Sequence, residues 1–420
     1  MSPERISAHS LERKRKDRST RFFLTGGTGF LGSHVAVELL KRGFQVSLLA
    51  RSDERRSAAE RVGCLLDWFA LPAEARLRLR VVEGDIMQPG LGINSAELSA
   101  ILKGTDEIVH LASDTSFSEW KRPQVEATNI GGLSRVLEFA RASQASFFHH
   151  VSTAFVAGKA TGTCFEEPVL QREFNNVYEE TKSRGESAVS SACGEAGIGS
   201  AIYRPSVVYG DSRTGRSLRF NALYYPVRML LFVKDVCERD IREGDGSKAR
   251  ELGVGIGPDG TTQLPMRVET VEQGGVNIIP VDYFTDSLLA LMEATRPGAI
   301  FHIASPKLTK MEDISDYSSR LFHLSGISTC SEQELVDRPK RPLELLFSHY
   351  VGAYGPYMKD TRVFDMTKSA AILGPRGIVC PDFDYNVFSR CMLFAVTAGW
   401  GAALFAGSRD KEVLSSGDSK

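Results

Sequence analysis

Tyr178 and Lys182 are the two residues of this chain whose types and spacing most directly suggest chemistry. They occur in the polar stretch FNNVYEETKSRGE, residues 174–186, which predicts a helix. Residues four positions apart on a helix project from the same face. An ammonium group there lowers the pKa of a tyrosine from its usual value of about 10, so Tyr178 would be a usable acid near neutrality. Alone, the pair is more often an ordinary solvated helix face.

A second hydroxyl is expected close to this pair. The stretch HHVSTAF, residues 149–155, ends a predicted strand and provides Ser152 and Thr153. Ligands of open parallel sheets bind beyond the carboxyl ends of the strands. Either hydroxyl could therefore hydrogen-bond the same substrate oxygen as Tyr178.

A glycine-rich turn lies between the first predicted strand and the first predicted helix, in RFFLTGGTGFLGSHVAVELL, residues 21–40. Glycines spaced G-x-x-G-x-x-G suit a tight turn whose backbone approaches a pyrophosphate and whose helix packs on the strand. The helix N-terminus then presents free N–H groups and a positive dipole end to the phosphates. The predicted phosphate-binding residues are Gly26, Thr28, Gly29, Phe30, Leu31 and Gly32.

The end of the second predicted strand, SLLARSDERR, residues 47–56, bears on the choice of cofactor. Dinucleotide-binding sheets that prefer NAD place an acidic side chain there, on the ribose 2′-hydroxyl. Arg51 stands at this position, with Ser52 and Arg55 nearby, and a guanidinium suits a 2′-phosphate. The sequence therefore favours NADP(H), and Asp53 leaves NAD(H) as the alternative.

The elements that position these residues read as a doubly wound fold. Short apolar runs rich in β-formers alternate with amphipathic stretches from Arg21 onward, a pattern typical of a parallel sheet. We expect an α/β, Rossmann-type doubly wound parallel sheet with a smaller C-terminal α/β substrate lobe. The predicted division is a disordered basic tail (1–20), an NAD(P)-binding domain (21–210), a substrate lobe (211–390) from which a strand and helix near 276–310 return to the sheet, an apolar helix (391–407) and a disordered tail (408–420).

Composition narrows the function classes. The chain has 51 basic and 52 acidic residues, so its overall charge gives no case for nucleic-acid binding. Its seven cysteines lack the spacing of a zinc site, and His34, His302, His323 and His349 are isolated. The adjacent His149 and His150 would point to opposite faces of a strand, so no metal is expected. A cytoplasmic location fits best. The apolar segment 391–407 is shorter than the roughly 20 residues that usually span a bilayer, so it predicts a buried helix or contact with a membrane surface. A spanning helix is the third alternative.

Taken together, these motifs resemble the extended short-chain dehydrogenases/reductases over roughly residues 20–310. Several stretches are similar to the branch of thioester reductases and male-sterility-type fatty acyl-CoA reductases. Those stretches are LTGGTGFLGSH, LLARS, HVSTAFVAG, NNVYEETKSRGE and YRPSVVYGDSRTG. The chain departs from the family pattern in HLAS, which ends in Ser113, and in NIGG, which begins at Asn129.

The resemblance assigns roles to residues. It implies Thr153 as the catalytic hydroxyl, Tyr178 as the acid, and Lys182 as its pKa-lowering partner and ribose ligand. Asn129 would support the active-site helix or a water relay. The further implied cofactor contacts are Asp85, Ile86, Leu111, Ala112, Pro205, Ser206 and Val207.

The function expected from these residues is hydride transfer to the carbonyl of a hydrophobic substrate. The resemblance implies an acyl thioester, as acyl-CoA or bound to a carrier protein, giving an aldehyde or alcohol. A ketone reductase or hydroxyl dehydrogenase of lipid, sterol or secondary metabolism is the alternative, since the same catalytic residues would serve it. A non-catalytic regulator that senses NADPH is a third functional class. The sequence also leaves open whether the protein forms a homodimer.

Two groups outside these motifs carry weaker expectations. Phe220, Tyr224 and Tyr225, with the apolar run after them, could belong to the core or line the substrate site. Glu166 and Glu167 are adjacent acids in a predicted loop, and such pairs are usually solvated.

Overall fold

The computed structural model of the chain describes residues 18–170, 173–402 and 404. The strands of this part are β1 (Arg21–Thr25), β2 (Gln45–Ala50), β3 (Leu79–Glu83), β4 (Glu107–His110), β5 (Phe147–Val151), β6 (Thr163–Cys164), β7 (Gly199–Pro205), β8 (Val207–Tyr209), β9 (Gly255–Ile256), β10 (Thr262–Glu269), β11 (Ile278–Pro280), β12 (Ala299–Ile303), β13 (Leu324–Cys330) and β14 (Val363–Phe364).

The α-helices of the same residues alternate with these strands in the first half of the chain and dominate the second. They are α1 (Phe30–Lys41), α2 (Ala58–Trp68), α3 (Ala73–Arg76), α4 (Ser95–Lys103), α5 (Arg122–Glu126), α6 (Leu133–Ala142), α7 (Val177–Ala196), α8 (Tyr224–Glu243), α9 (Ser247–Leu252), α10 (Val281–Ala294), α11 (Met311–Phe322), α12 (Glu332–Asp337), α13 (Pro342–Val351), α14 (Gly355–Met358), α15 (Thr367–Leu373) and α16 (Tyr385–Thr397). A π-helix, Ala127–Gly132, joins α5 to α6.

Seven strands form one parallel sheet in the order β3-β2-β1-β4-β5-β7-β12. The chain moves outward from β1 in one direction through β2 and β3, and in the other through β4 and β5, so β1 and β4 flank the switch point where ligands bind. Successive residues of β1 point to opposite faces, with Phe22 and Leu24 in one buried cluster and Phe23 in another. The expected doubly wound parallel sheet is confirmed.

Helix α7 carries the predicted catalytic pair and has well-defined ends. Asn176 caps its N-terminus, accepting a hydrogen bond from the backbone N–H of Glu179 at 3.1 Å. Its C-terminal cap is Gly197, whose φ of +69° is a left-handed conformation that glycine adopts easily. The helix packs against α6 and β7, so it is fixed along the sheet with its N-terminus at the carboxyl edge.

The second half of the chain forms a smaller lobe and returns to the main sheet. Strands β9, β10 and β13 form a three-stranded sheet, and helices α8, α11 and α16 contribute to a second hydrophobic core with it. Between them, β11 pairs with β8, α10 packs on α1, and β12 adds a strand beside β7. The sheet and the lobe are therefore interleaved in sequence. The residue bounds given to the domains stay predictions.

The predicted apolar helix 391–407 has different bounds. Helix α16 begins earlier, at Tyr385, and ends at Thr397, and a short 3-10 helix, Gly399–Gly401, follows it. Trp400 has a φ of +54°, which a continuing α-helix would not allow. Cys391 and Met392 are buried in the second core. Residue 403, residues 405–407, most of the predicted N-terminal tail and the C-terminal tail lie outside the described residues.

Of the helices in the described part of the chain, none has the length and apolar character to cross a membrane. Contact of the segment 391–407 with a membrane surface stays a prediction.

Candidate active site

The turn after β1 is built so that only glycine fits at its key positions. Gly26 has a φ of +78°, and a Cβ there would lie 2.5 Å from the backbone nitrogen of Ala112 and 2.6 Å from the carbonyl carbon of Leu111. A Cβ at Gly32 would collide with the carbonyl oxygen of Gly26. The loop after β4 therefore lies directly against the glycine turn, and Leu111 and Ala112 flank the place where a dinucleotide would cross the sheet edge.

Gly27 is a residue of this turn whose role the sequence reasoning missed. A Cβ at Gly27 would lie 2.6 Å from Leu48 Cδ1, a side chain of β2. The doubled glycine in LTGG was the available signal. Gly27 allows the turn to pack down on the neighbouring strand, whereas Gly26 allows the close approach to β4.

The N-terminus of α1 suits a phosphate group. No side chain caps it: Gly29 holds the cap position, and the helix begins with Phe30 and Leu31. The first N–H groups of a helix have no partner inside the helix and carry the positive end of its dipole. A backbone cradle of this kind, with no side chain filling it, fits a pyrophosphate.

The loop after β2 separates the roles of Arg51 and Asp53. The carboxylate of Asp53 accepts hydrogen bonds from the backbone N–H groups of Arg55 at 3.0 Å and Arg56 at 2.8 Å, and lies 3.2 Å from Arg61 Nε. The bond from Arg55 is the main reason that the pKa of Asp53 lies below its usual value. Asp53 is thus engaged within its own turn. The side chain of Arg51 is 65% exposed, and its Nη1 lies 3.6 Å from Asp85 Oδ2.

The loop after β3 closes the predicted adenine side. The backbone N–H of Asp85 donates to Leu91 O at 2.7 Å, and its side chain accepts from the N–H of Met87 at 2.9 Å. Ile86 packs on Gly132, where a Cβ would lie 2.8 Å from Ile86 Cδ1. This side of the site is therefore a tight turn resting on the π-helix.

Thr153, Tyr178 and Lys182 come together beyond the carboxyl end of β5. The Thr153 hydroxyl lies on the side of Tyr178 and lowers the pKa of that tyrosine. Thr153 Oγ1 also donates to Pro205 O at 3.4 Å and accepts from the N–H of Phe155 at 3.3 Å. Lys182 Nζ donates to Val151 O at 2.7 Å. Of the two candidate hydroxyls in HHVSTAF, Thr153 is the one that faces Tyr178.

The electrostatics of this trio differ from the expectation. Burial raises the pKa of Tyr178 to about 12, even though the neighbouring Thr153 side chain lowers it. Burial also lowers the pKa of Lys182 to about 8, against the opposing effect of the Glu186 carboxylate. Because desolvation penalises the charged form of each group, it outweighs the lowering of the tyrosine pKa that an ammonium four residues away was expected to produce.

Ser206, next to Pro205 and Val207 at the end of β7, adds to the fit for a cofactor. Its Oγ is buried and has no hydrogen-bond partner among the described residues. Its backbone N–H donates to Ile303 O at 3.0 Å, so the residue is held in place from β12. A buried hydroxyl without a partner is costly unless a ligand completes it. Its position agrees with the cofactor contact that the resemblance implies.

Asn129 links the loop after β4 to helix α7. Its Oδ1 accepts from Ser113 Oγ at 3.0 Å and from the N–H of Asp114 at 2.8 Å. Its Nδ2 donates to Asp114 O at 2.9 Å and to Thr181 Oγ1 at 3.0 Å. These four bonds occupy both N–H donors and both acceptor positions of the Asn129 amide. Ser113, the departure in HLAS, is thus one of the groups that fix Asn129.

The adjacent histidines before Thr153 have separate surroundings. His149 hydrogen-bonds Glu107 and Tyr203, each at 2.8 Å. His150 stacks on His110 with ring centroids 5.5 Å apart, on the side of Lys182. Within the described ranges there is no cluster of histidine, cysteine and acidic side chains that could hold a metal ion.

The structure divides the aromatic group after residue 210. Phe220 and Tyr224 are buried in the second core. Tyr225 is partly exposed, with its ring 5.9 Å from that of Tyr354. Three further aromatic rings extend from Tyr178 on this side, and the sequence analysis did not predict this grouping. They belong to Phe117, Tyr354 and Tyr357. Their positions far apart in sequence gave no signal for this grouping.

The expectation that Glu166 is solvated is wrong. Its side chain is 1% exposed and accepts hydrogen bonds from the backbone N–H groups of His302 at 2.9 Å and Lys368 at 2.6 Å. The hydroxyl of Ser369 also donates to it. It thereby satisfies N–H groups at the start of α15 and ties that helix to β12. Glu167 is exposed, as expected.

A groove of about 600 Å³ lies on the other side of α7. Its lining includes Glu180, Ser183, Arg184 and Ser187, which face away from Tyr178 and Lys182. Arg122, also in the lining, is 2.8 Å from Glu180 and 2.8 Å from Glu119. The charges of the groove are paired, and the groove is separate from the catalytic edge.

A family model described as male sterility protein, an NAD-binding family, matches residues 24–288, which is more than half of the chain. The chain belongs to this family. Together with the fold, the match makes it an NAD(P)-dependent oxidoreductase of the extended short-chain dehydrogenase/reductase type.

Individual relatives of this male-sterility-family chain include proteins of very different length. It is 25% identical over 399 residues to a linear gramicidin synthase of Brevibacillus parabrevis, covering 90% of this chain and 7% of that protein. It is 24% identical over 307 residues to fatty acyl-CoA reductase wat of Drosophila melanogaster, covering 64% of this chain and 53% of that protein. The chain thus spans less than two thirds of the length of either relative.

Among solved structures, the terminal R domain from the myxalamid PKS-NRPS biosynthetic pathway is similar to this male-sterility-family chain. The TM-score is 0.70 at 22% sequence identity, and the match covers 92% of each chain. At this identity the likeness establishes the fold, which agrees with the sheet order described above.

Proposed function

We propose that the protein reduces a hydrophobic acyl thioester, presented as a CoA ester or on a carrier protein, to an aldehyde and then to an alcohol. The observation that carries the proposal is that Thr153, Tyr178 and Lys182 come together at the sheet edge next to the glycine turn. The similarity to a fatty acyl-CoA reductase and to a terminal R domain supports a thioester over other carbonyl compounds.

In this proposal, hydride adds to the thioester carbonyl carbon, the carbon–sulfur bond breaks, and the products are a thiol and an aldehyde. Addition of a second hydride and a proton to the aldehyde gives the alcohol. When bound, NAD(P)H supplies the hydride. Each reduction also takes up one proton.

Tyr178 and Thr153 would act on the carbonyl oxygen. Because burial keeps Tyr178 in its neutral phenol form, it can donate a hydrogen bond or a proton as negative charge develops on that oxygen. Thr153 would hold the oxygen from a second side. Lys182 would place a positive charge beside the pair and hydrogen-bond the ribose, releasing its present bond to Val151 O.

Replacing Tyr178 by Phe tests the acid role. General acid catalysis contributes roughly 10²- to 10⁴-fold, so we expect Tyr178→Phe to lower kcat by about that factor while NADPH still binds. Initial rates would be measured with a long-chain acyl-CoA, a carrier-bound thioester and a ketone, and cofactor binding by nicotinamide fluorescence. Tyr350→Phe, the same change at an exposed position on α13, is the matched control and should leave kcat unchanged.

Two results would contradict the proposal in different ways. Undiminished turnover by Tyr178→Phe would exclude the acid role. Reduction of the ketone with no reduction of any thioester would leave the acid role intact and replace the proposed activity with that of a ketone reductase.

The proposed cofactor is NADPH, recognised through Arg51. Asp53 is engaged in its own turn, whereas the Arg51 guanidinium is exposed and suits a 2′-phosphate. A charge-assisted hydrogen bond contributes about 1.5–3 kcal/mol. We therefore expect Arg51→Ala to raise the KM for NADPH about 10- to 100-fold and to change the KM for NADH little.

Arg80→Ala is the control for this variant. Arg80 is a half-exposed arginine on β3 that pairs with Glu97 at 3.0 Å, outside the site. Steady-state kinetics with both cofactors would measure the effect. Equal changes in the two KM values would show that Arg51 does not read the 2′-phosphate.

A further inference from the structure

A continuous row of aromatic rings leads away from Tyr178 into the smaller lobe. The ring of Phe117 lies 5.9 Å from that of Tyr178 and 5.7 Å from that of Tyr354. Tyr354 in turn lies 5.9 Å from Tyr225, at the start of α8. Tyr357 stacks on Phe117 with the ring centroids 5.1 Å apart. We call Phe117, Tyr354 and Tyr225 the aromatic row.

The row differs from the aromatic residues of the core. Phe117, Tyr354, Tyr225 and Tyr178 are all partly exposed, so each ring retains surface that another molecule can contact. Neighbouring Phe220 and Tyr224 are buried and supply the aromatic packing of the second core. Phe117 packs against a buried cluster that includes Phe155 and Tyr357, so the aromatic row lies at the edge of the core and keeps exposed ring surface.

Tyr354 lies beside the turn that precedes α8. Its hydroxyl faces the backbone of Ala222, which has a φ of +52°. A left-handed conformation is unfavourable for alanine, and such strain persists where the surrounding structure imposes it. The ring at the middle of the row thus lies next to a strained turn from a different segment of the chain.

Two aromatic rings in contact gain interaction energy in addition to the energy from the apolar area that they bury. A ligand ring in an offset or edge-on arrangement with these side chains gains an electrostatic term that a saturated group of the same size does not. We infer that the acyl group which this site accepts carries an aromatic ring, an inference that rests on the proposed thioester reduction. The thioester carbonyl would lie at Tyr178 and the acyl ring along the aromatic row.

Two thioesters with the same number of carbon atoms test this inference. We would compare kcat/KM for 3-phenylpropanoyl-CoA and 3-cyclohexylpropanoyl-CoA with the full chain and NADPH. We expect a preference for the phenyl compound of roughly 2- to 10-fold. Non-reducible thioether analogues of the two, titrated by calorimetry, should show the same preference in Kd without any turnover.

Three variants locate the effect. Tyr354→Leu keeps an apolar side chain but removes the ring, and it should bring the preference to about one. Tyr354→Phe keeps the ring and should keep the preference, which separates the ring from its hydroxyl. Tyr350→Leu removes an exposed aromatic outside the row and should change nothing.

The outcomes separate this inference from the proposed function. Equal or better use and binding of the cyclohexyl compound, failure of both analogues to bind, or a preference that survives Tyr354→Leu would each overturn the inference. If the phenyl analogue binds more tightly but no thioester is reduced, the proposed function fails and the assignment of the aromatic row stands.

Discussion

Lys182 is held at the catalytic edge with its ammonium group donating to Val151 O at 2.7 Å. Burial makes this charge costly, so the pKa of Lys182 falls to about 8. Tyr178 is affected in the opposite direction, because burial disfavours the phenolate and raises its pKa to about 12. At neutral pH the site therefore holds a neutral acid beside a cation that is close to losing its proton.

This arrangement predicts an alkaline limb in the pH profile. Lys182 is cationic below pH 8 and loses its charge as the pH rises through about 8, whereas Tyr178 keeps its proton over the same range. If the cation is needed, kcat/KM should be level between about pH 6 and 7.5 and should fall about tenfold per pH unit above about pH 8. Initial rates from about pH 6 to 10 would measure this profile.

Circular dichroism at each pH would separate loss of the charge from loss of the fold. A profile that stays level to about pH 10 in a folded protein would show that the charge on Lys182 is not required. A limb near pH 10 would instead indicate that the lysine keeps its ordinary pKa when the site is loaded.

At the scale of elements, local patterns were the predictable part. The glycine turn and α1 could be predicted because Gly26, Gly29 and Gly32 form a recognisable pattern over seven residues, even though the contact that requires Gly26 is with the distant Leu111 and Ala112. Helix α7, with Tyr178 and Lys182 on one face, was predictable from a pattern close in sequence. The parallel sheet followed from the alternation of strands and helices.

Contacts that join distant segments could not be predicted in the same way. The aromatic row draws on residues 117, 225 and 354, and no short pattern connects them. Glu166 was expected to be solvated because its sequence position is a polar loop, yet it caps α15, which lies far along the chain. The saturation of Asn129 by four bonds likewise depends on Asp114 and Thr181, in two different segments.

At the scale of the whole molecule, one contact connects the smaller lobe to the catalytic helix. Tyr357 of α14 donates a hydrogen bond to Glu179 Oε1 at 2.6 Å and accepts one from Asn176 Nδ2 at 2.6 Å. Glu179 is 0% exposed and directly follows Tyr178, and Asn176 caps the same helix. The position of the lobe is therefore coupled to the first turn of α7, where the proposed acid lies.

Replacing Tyr357 by Phe should loosen this coupling without removing the ring that stacks on Phe117. The buried Glu179 carboxylate would lose one strong donor and keep its bond of 2.8 Å from the N–H of Asn175. Losing a hydrogen bond to a buried charged group costs about 1.5–3 kcal/mol, so the free energy of unfolding should fall by that amount. Since Tyr178 would be held less firmly, kcat should fall several-fold while KM for the thioester changes little.

Chemical denaturation and steady-state kinetics, with Tyr350→Phe as control, would measure both effects. A loss of stability with unchanged kcat would show that Tyr357 has only a structural role. A rise in KM alone would show that Tyr357 contributes to substrate binding.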